Sequence, residues 1–345
     1  MVLAGWWSTA LGWVLIEEKE SKRCAQHTLE VPEFQRRGPS MQRTPITRRQ
    51  FIERTAAVAG GLLLSPLAGR MVRGEGRRTA VDQVPLGKTG LKICRLGIGC
   101  GTNSGRVQQE LGQEGFNRLV RYAYDQGITF IDIARSYRTH GMLKEAIQGL
   151  PREKLFIQTK MGGSPDKPLE EIDKYRQTYG VDYLDSLLVH CSMTSNWDEE
   201  RKRIMDAMQE AKEKKLIRAH GVSCHSLPAL TRAAELDWVD VNLVRVNPQG
   251  SHMDTADAKS WNAESNQTHV QPVVEQIRRM HEKGHGIIGM KIMGEGDFTN
   301  PEDREKSIRF AMQPDFLDCV TIGFKSPAEV DEAIKRINSA LAAKA

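Results

Sequence analysis

Four side chains in this chain have the types and spacing to move a proton. Asp132 and Tyr137 lie in Phe130-Ile131-Asp132-Ile133-Ala134-Arg135-Ser136-Tyr137, Lys160 ends Gln158-Thr159-Lys160, and His190 ends Leu188-Val189-His190. Taken singly, each has an ordinary structural role: Asp132 as a helix cap, Tyr137 as a packed aromatic, Lys160 as a solvated charge, His190 as a core histidine. A carboxylate, a phenol, an ammonium and an imidazole at the ends of successive apolar runs are costly to bury unless they pair. Together and in order they point to a catalytic set. A phenol with a pKa near 10 is a reluctant acid. An adjacent ammonium favours its phenolate and lowers that pKa, and a carboxylate paired with the ammonium holds it in place.

The elements that must position these groups repeat from residue 85 onward, a short β-rich apolar run followed by an amphipathic helical stretch. The strand candidates are Arg95 to Cys100, Thr129 to Ala134, Leu155 to Thr159, Ser186 to His190, Ala219 to Ser223, Val239 to Val246, Gly286 to Met290 and Cys319 to Gly323. Phe116 to Asp125, Arg201 to Lys214, Val273 to Glu282 and Ala328 to Leu341 carry apolar residues three and four apart, as helices do. Eight strands alternating with helices predict an α/β fold, a parallel (β/α)8 TIM barrel. A doubly wound open sheet is the runner-up, but no GxGxxG follows an early strand. In a barrel the chemistry sits at the C-terminal tips of the strands, where the four residues fall.

The pattern resembles the aldo-keto reductase family, whose strands carry D-x-A-x-x-Y, T-K and a His at successive tips. The opening Leu86-Gly87-Lys88-Thr89-Gly90-Leu91-Lys92, the Gly97-Ile98-Gly99 turn, Gly221-Val222-Ser223 and Gly323-Phe324-Lys325-Ser326-Pro327 also resemble that family in order, over residues 84 to 341. The resemblance implies an oxidoreductase that interconverts a carbonyl and an alcohol with a nicotinamide cofactor, NADPH or NADH, on a small-molecule substrate. Hydride transfer to a carbonyl makes an alkoxide, which needs a proton donor. Tyr137 is then the general acid, tuned by Lys160 and Asp132, and His190 donates to the substrate oxygen. A sugar or cyclic-alcohol dehydrogenase on the same barrel and a non-catalytic cofactor-sensing scaffold are the alternatives.

Residues matching the family's cofactor positions are Gly99 and Cys100, Ser223 and Cys224, Met290 and Lys291, and Gly323, Lys325, Ser326 and Glu329. Ser326-Pro327 opens a helix with a Ser cap and Pro in the first turn, so its free N–H groups suit a phosphate. Several positions depart from the family. Cys224 replaces the usual Asn, Leu243 the usual Gln, and Met290-Lys291 the usual Tyr-Ser. Met290 can still pad a flat ring and Lys291 can meet the pyrophosphate as a point charge. Glu329 stands where Arg or Gln is common and would repel a 2′-phosphate, while Lys325 argues the other way.

The N-terminal segment reads differently. Thr47-Arg48-Arg49-Gln50-Phe51-Ile52-Glu53 followed by the charge-free run Thr55 to Gly69 has the layout of a twin-arginine signal. It predicts export of the folded protein through the Tat translocon, to the periplasm or to the outer side of the inner membrane, with membrane attachment only if the signal is uncleaved. Residues 41–74 are then signal and linker and 75–345 the barrel. Residues 1–40 are read as a non-native or disordered extension, with Met41 the expected start.

Of 49 basic and 44 acidic side chains, 10 and 6 lie in residues 1–70, which leaves 39 against 38 and a net charge of +1. That balance gives no support to a nucleic-acid partner. The six cysteines announce no disulfide framework. Strand alternation sends His220 and Cys224 to one side and Ser223 and His225 to the other, so no metal site is expected, even with Cys191 beside His190. The polar segment Gln249 to Gln271 is read as a loop over the barrel mouth, where Trp261, Arg245 and Phe298 suggest a mixed aromatic and polar pocket.

Overall fold

A computed structural model describes residues 78–260 and 264–343. The twin-arginine string, the run 55–69, Met41 and Trp261 lie outside the described residues. Strands β1 (Gln83–Pro85) and β2 (Lys92–Cys94) form an antiparallel hairpin around the Leu86–Lys92 opening. Eight parallel strands follow: β3 (Leu96–Gly99), β4 (Phe130–Asp132), β5 (Phe156–Met161), β6 (Leu184–Ser192), β7 (Ile217–Cys224), β8 (Val241–Arg245), β9 (Gly286–Met290) and β10 (Cys319–Ile322). They close in chain order into a barrel. The closing ladder pairs Val320 with Leu96, Thr321 with Gly97 and Ile322 with Ile98, which rules out the open sheet.

One main helix follows each barrel strand: α1 (Gly112–Asp125), the short α2 (Leu143–Ala146), α3 (Pro168–Tyr179), α4 (Lys202–Glu213), α5 (Leu227–Glu235), α6 (Val270–Lys283), α7 (Pro301–Ala311) and α8 (Pro327–Ala342). Their apolar stripes explain their placement. In α1, Phe116, Leu119, Val120 and Ala123 are buried against the strands while the opposite face is polar. Three helix starts combine a side-chain cap with Pro in the first turn. Ser226, Asn300 and Ser326 accept from the N–H groups of Ala229, Asp303 and Glu329, satisfying donors that have no partner inside the helix.

Strand alternation divides the core in two. Ile98, Ile131, Ile157, Leu187, Val222 and Ile287 face the helices. Phe130, Phe156, Leu188, Val241, Leu243 and Ile288 fill the barrel interior, together with Leu86 and Ile93 of the hairpin. Phe130 and Phe156 meet edge to face at 5.6 Å, and each buried ring contributes about 2–3 kcal/mol through the hydrophobic effect. The hairpin closes the end where the strands begin: Gly87 N–H donates to Asp318 Oδ2 at 3.1 Å and Lys88 N–H to Gly284 O at 2.8 Å. The opposite end, where the strands finish, is the open one.

At that open end the backbone is strained. Six of the eight non-glycine residues with left-handed φ among the described residues, Asn103, Ser104, Cys191, His252, Lys291 and Glu295, lie in segments at the C-terminal mouth. Such conformations cost about 1–3 kcal/mol each and cluster at functional sites. Among the described residues, no helix is long and apolar enough to cross a membrane.

Candidate active site

Asp132 closes β4, and its strand neighbour in β5 is Gln158. Gln158 and Lys160, two residues apart, share the inward face of β5. Lys160 Nζ donates to Asp132 Oδ1 at 2.6 Å and to Ile133 O at 3.0 Å, and Gln158 Nε2 donates to the same Asp132 oxygen at 2.9 Å. Lys160 is fully buried and Asp132 is 4% exposed. Burial alone would lower the Lys160 pKa, but the charge and hydrogen bond of Asp132 and the nearby Tyr137 phenol outweigh it, so the pKa is raised. Lys160 therefore stays an ammonium.

Tyr137 comes from the loop after β4, and Lys160 Nζ lies 4.9 Å from the centre of its ring. The ring needs a glycine beside it: a Cβ on Gly101 would fall 2.5 Å from Tyr137 Cζ. Burial raises the phenol's pKa, and the Lys160 ammonium, which works to lower it, does not overcome that effect. Lys160 acts on the phenol in the expected direction, but the net depression expected from the sequence is corrected: burial outweighs the ammonium, and Asp132 adds to the rise. Tyr137 is thus a protonated donor at neutral pH.

His190 stands near the end of β6, where the register with β7 shifts between His190 and Ser192 and Cys191 takes a φ of 58°. Its imidazole packs edge to face on Tyr137 at 5.8 Å, and its Nδ1 lies 3.4 Å from Ser136 Oγ. Burial, with the Lys160 charge second, pushes its pKa down to about 3. It is therefore a neutral hydrogen-bonding group at any physiological pH.

A cleft of about 740 Å³ runs from this set across the barrel mouth to the start of α8. Of the residues expected from the sequence, Gly99, Asp132, Tyr137, Met290, Lys291, Gly323, Lys325 and Glu329 line it, as does Phe298. Cys100 and Cys224 do not: alternation turns both thiols into the apolar layer under the helices. Ser223 is buried at the end of β7 and Ser326 is occupied as the cap of α8. On β7, Gly221, two residues before Ser223, has to be glycine, since a Cβ there would fall 1.8 Å from Val241 O. Leu243 lies in the barrel interior, below the mouth.

Two expected cofactor contacts are already engaged within the chain. Lys291, expected as a point charge for a pyrophosphate, is ion-paired with Glu295, whose Oε1 also accepts from Asn103 N–H at 2.9 Å. Glu295 so links the loops after β3 and β9 across the cleft. At the start of α8, Glu329 Oε2 accepts from Lys325 N–H at 2.9 Å. Arg245 ends β8 and is buried, with Nη2 2.6 Å from Asp254 and a second bond to His225 O, rather than open to the pocket.

Gln158, Glu295, Asn103 and Gly101 were not expected from the sequence. For Gln158 a signal existed, since it shares strand parity with Lys160; the others lie in aperiodic loops. The remaining sequence signals sort as alternation predicts. His220 stacks on Trp238 at 4.2 Å, away from the mouth, while His225 approaches His190 at 6.2 Å. Among the described residues, no three His, Cys, Asp or Glu side chains converge as a metal set.

The cleft suits an elongated polar ligand. Its lining includes bare backbone at Gly99, Gly101 and Gly323 and the buried Thr321, whose Oγ1 lacks a hydrogen-bond partner. Ser223 Oγ and Gln158 Oε1 are also buried without one. Orphaned polar groups of this kind are costly unless a ligand or water answers them.

A sequence profile of the aldo/keto reductase family matches residues 95–342. The chain belongs to that family. Among its relatives are "Probable aldo-keto reductase 1" of Glycine max, 28% identical over 184 residues, covering 46% of this chain and 51% of that protein. A 9,11-endoperoxide prostaglandin H2 reductase of Trypanosoma cruzi is 30% identical over 139 residues, covering 37% and 47%. The chain thus spans about half the length of the curated relatives it matches. The aldo-keto reductase of Bacillus halodurans superposes with a TM-score of 0.59 at 14% identity, covering 78% of this chain and 97% of that one. A Bombyx mori aldo-keto reductase in complex with NADP gives 0.54 at 17% identity, covering 76% and 93%. These likenesses carry the fold of the aldo/keto reductase barrel described above.

Proposed function

We propose that this aldo/keto reductase family member is an oxidoreductase that interconverts a carbonyl and an alcohol, using a nicotinamide dinucleotide held in the cleft. The observation that carries the reading is the buried Gln158–Asp132–Lys160 array beside a protonated Tyr137 and a neutral His190, at one end of a cleft of about 740 Å³ that extends to the first turns of α8. When bound, the cofactor supplies or accepts the hydride.

The chain's own residues handle the proton and the charge. In reduction, His190 donates a hydrogen bond to the carbonyl oxygen and polarises it. As the oxygen gains charge, the Tyr137 O–H donates its proton to it, leaving a phenolate that the Lys160 ammonium stabilises. Asp132 keeps Lys160 charged and fixed throughout. Oxidation of the alcohol reverses each step. Met290 lines the cleft as an apolar surface for a flat ring, and Gly99 and Gly323 line it with backbone alone. The test is turnover of a carbonyl panel with NADH or NADPH: absence of turnover by folded protein with both cofactors sinks the reading.

The second part of the proposal concerns location. Thr47-Arg48-Arg49-Gln50-Phe51-Ile52-Glu53 and the charge-free run Thr55 to Gly69 support export of the folded, loaded protein by the twin-arginine route. Fusing residues 41–74 to a reporter that folds before export tests this. Transport that survives replacing Arg48 and Arg49 together by Lys argues against it.

A further inference from the structure

The two ends of the cleft differ in chemistry. Tyr137 and Asp132 stand at one end, and Lys325, Glu329, Glu332 and Arg336 at the other, around the first turns of α8. A dinucleotide whose nicotinamide reaches Tyr137 leaves its adenosine half for the α8 end. That assignment rests on the function proposed above.

At the α8 end an anion is already present. Ser326 Oγ accepts from Glu329 N–H at 3.4 Å, and Glu329 Oε2 reaches back to Lys325 N–H at 2.9 Å. This reciprocal arrangement places a carboxylate on the first turn of the helix, where a phosphate would otherwise sit. The nearby guanidiniums are committed elsewhere. Arg304 donates to Glu332 at 2.8 Å and to the carbonyls of Phe298 and Thr299. Arg336 donates to Glu332 at 2.8 Å and to Glu305 at 2.9 Å. The Lys325 side chain is 68% exposed and its ammonium stands 3.7 Å from Glu329, so it is a weak and screened attraction.

The two forms of the cofactor meet these groups differently. A ribose 2′-phosphate carries a charge of about −1.5 to −2 and presents acceptor oxygens. An ionised carboxylate is also acceptor-only. It therefore repels the phosphate but accepts from a ribose hydroxyl, as acidic residues do at other dinucleotide sites. We propose that this cleft selects the non-phosphorylated dinucleotide, NADH or NAD+, with Glu329 as the specificity-determining acceptor for the ribose hydroxyls. Glu332, held by Arg304 and Arg336, keeps those two cations from serving a 2′-phosphate.

The experiment is calorimetric titration of the full, folded chain with NADH and with NADPH, at low and high salt, beside Glu329→Gln and Glu329→Arg. Gln also serves the reciprocal cap, so the first variant removes charge and keeps the helix start. The expected result is NADH binding tighter by about tenfold or more. The ratio narrows in Glu329→Gln and at high salt, and reverses in Glu329→Arg. NADPH binding as tightly as NADH in the unaltered chain overturns the inference while leaving the oxidoreductase reading intact. So does a ratio that Glu329→Gln leaves unchanged, which removes Glu329 from the role. Failure of both dinucleotides to bind folded protein overturns the function proposed above and this inference with it.

Discussion

Gln158 Nε2 and Lys160 Nζ share one acceptor, Asp132 Oδ1, at 2.9 and 2.6 Å. The amide takes part of a charge that would otherwise be directed at Lys160 alone. Replacing Gln158 with Leu removes that donor, so Asp132 neutralises Lys160 more fully and the Tyr137 phenol rises in pKa. The expected outcome is a lower kcat with KM little changed, an alkaline limb of the reduction profile moved upward, and a stability loss of about 1 kcal/mol. A pH–rate series on the variant checks this; an unmoved limb removes Gln158 from the proton-handling set.

Tyr137→Phe keeps the ring and removes the proton. Turnover should fall by about 10²- to 10⁴-fold, the usual contribution of a positioned general acid. Cofactor binding, read by titration, should stay near that of the unaltered chain. Gly101→Ala approaches the same group from behind: a Cβ 2.5 Å from Tyr137 Cζ must displace the ring. It should lower kcat while the thermal midpoint moves little, and retained full turnover would contradict the packing described.

Acid should destabilise the fold through histidines held neutral. His190 is pushed down to about 3, by burial and then by Lys160, and His220 to about 4, by burial with Lys212 adding to it against Asp240. An unfolded histidine has a pKa near 6.5. Each therefore contributes stability that is fully present above pH 6.5 and is lost as pH falls toward its folded value. Between about pH 6.5 and 4 each contributes a slope approaching 1.4 kcal/mol per pH unit. Denaturant unfolding across that range should show stability rising with pH, with a shallower slope in His220→Gln. The same shift means His190 adds no inflection to activity between pH 5 and 8.

Arg245 and Asp254 form a buried pair, with side chains 2% and 0% exposed. Burial raises the Asp254 pKa and Arg245 works against that rise. Asp254→Ala leaves the guanidinium without its counter-charge and should cost about 3–5 kcal/mol, measured by denaturant unfolding. An Arg245→Met, Asp254→Leu double substitution should recover most of that loss; if it is as unstable as the single variant, the charge pair is not the cause.

The barrel was legible because its strands and helices follow two simple periods, and each strand expected from the apolar runs lies within a few residues of its place. Asp132, Lys160 and His190 were legible for the same reason, as ionisable groups ending those runs. Parity also explains what went astray. Cys100 and Cys224 are one residue past inward-facing positions, and a single step turns a side chain to the other face. The state of Tyr137 depended on how burial and Lys160 balance, which spacing does not report. Lys291 looked like a free cation because Glu295, four residues on in a left-handed turn, carries no periodic signal. Glu329 was visible as a charge, but its bond back to Lys325 N–H belongs to the three-dimensional start of α8.

The β1–β2 hairpin, with Leu86 and Ile93 seated among the interior residues, makes the barrel one-ended. Whatever reacts must arrive and depart by a single doorway. It follows that the molecule separates two kinds of variation in space: changes at the sealed end tune endurance alone, while new specificities have to be found among the loops around the doorway. A library confined to those loops can therefore explore substrates without dismantling the scaffold beneath them.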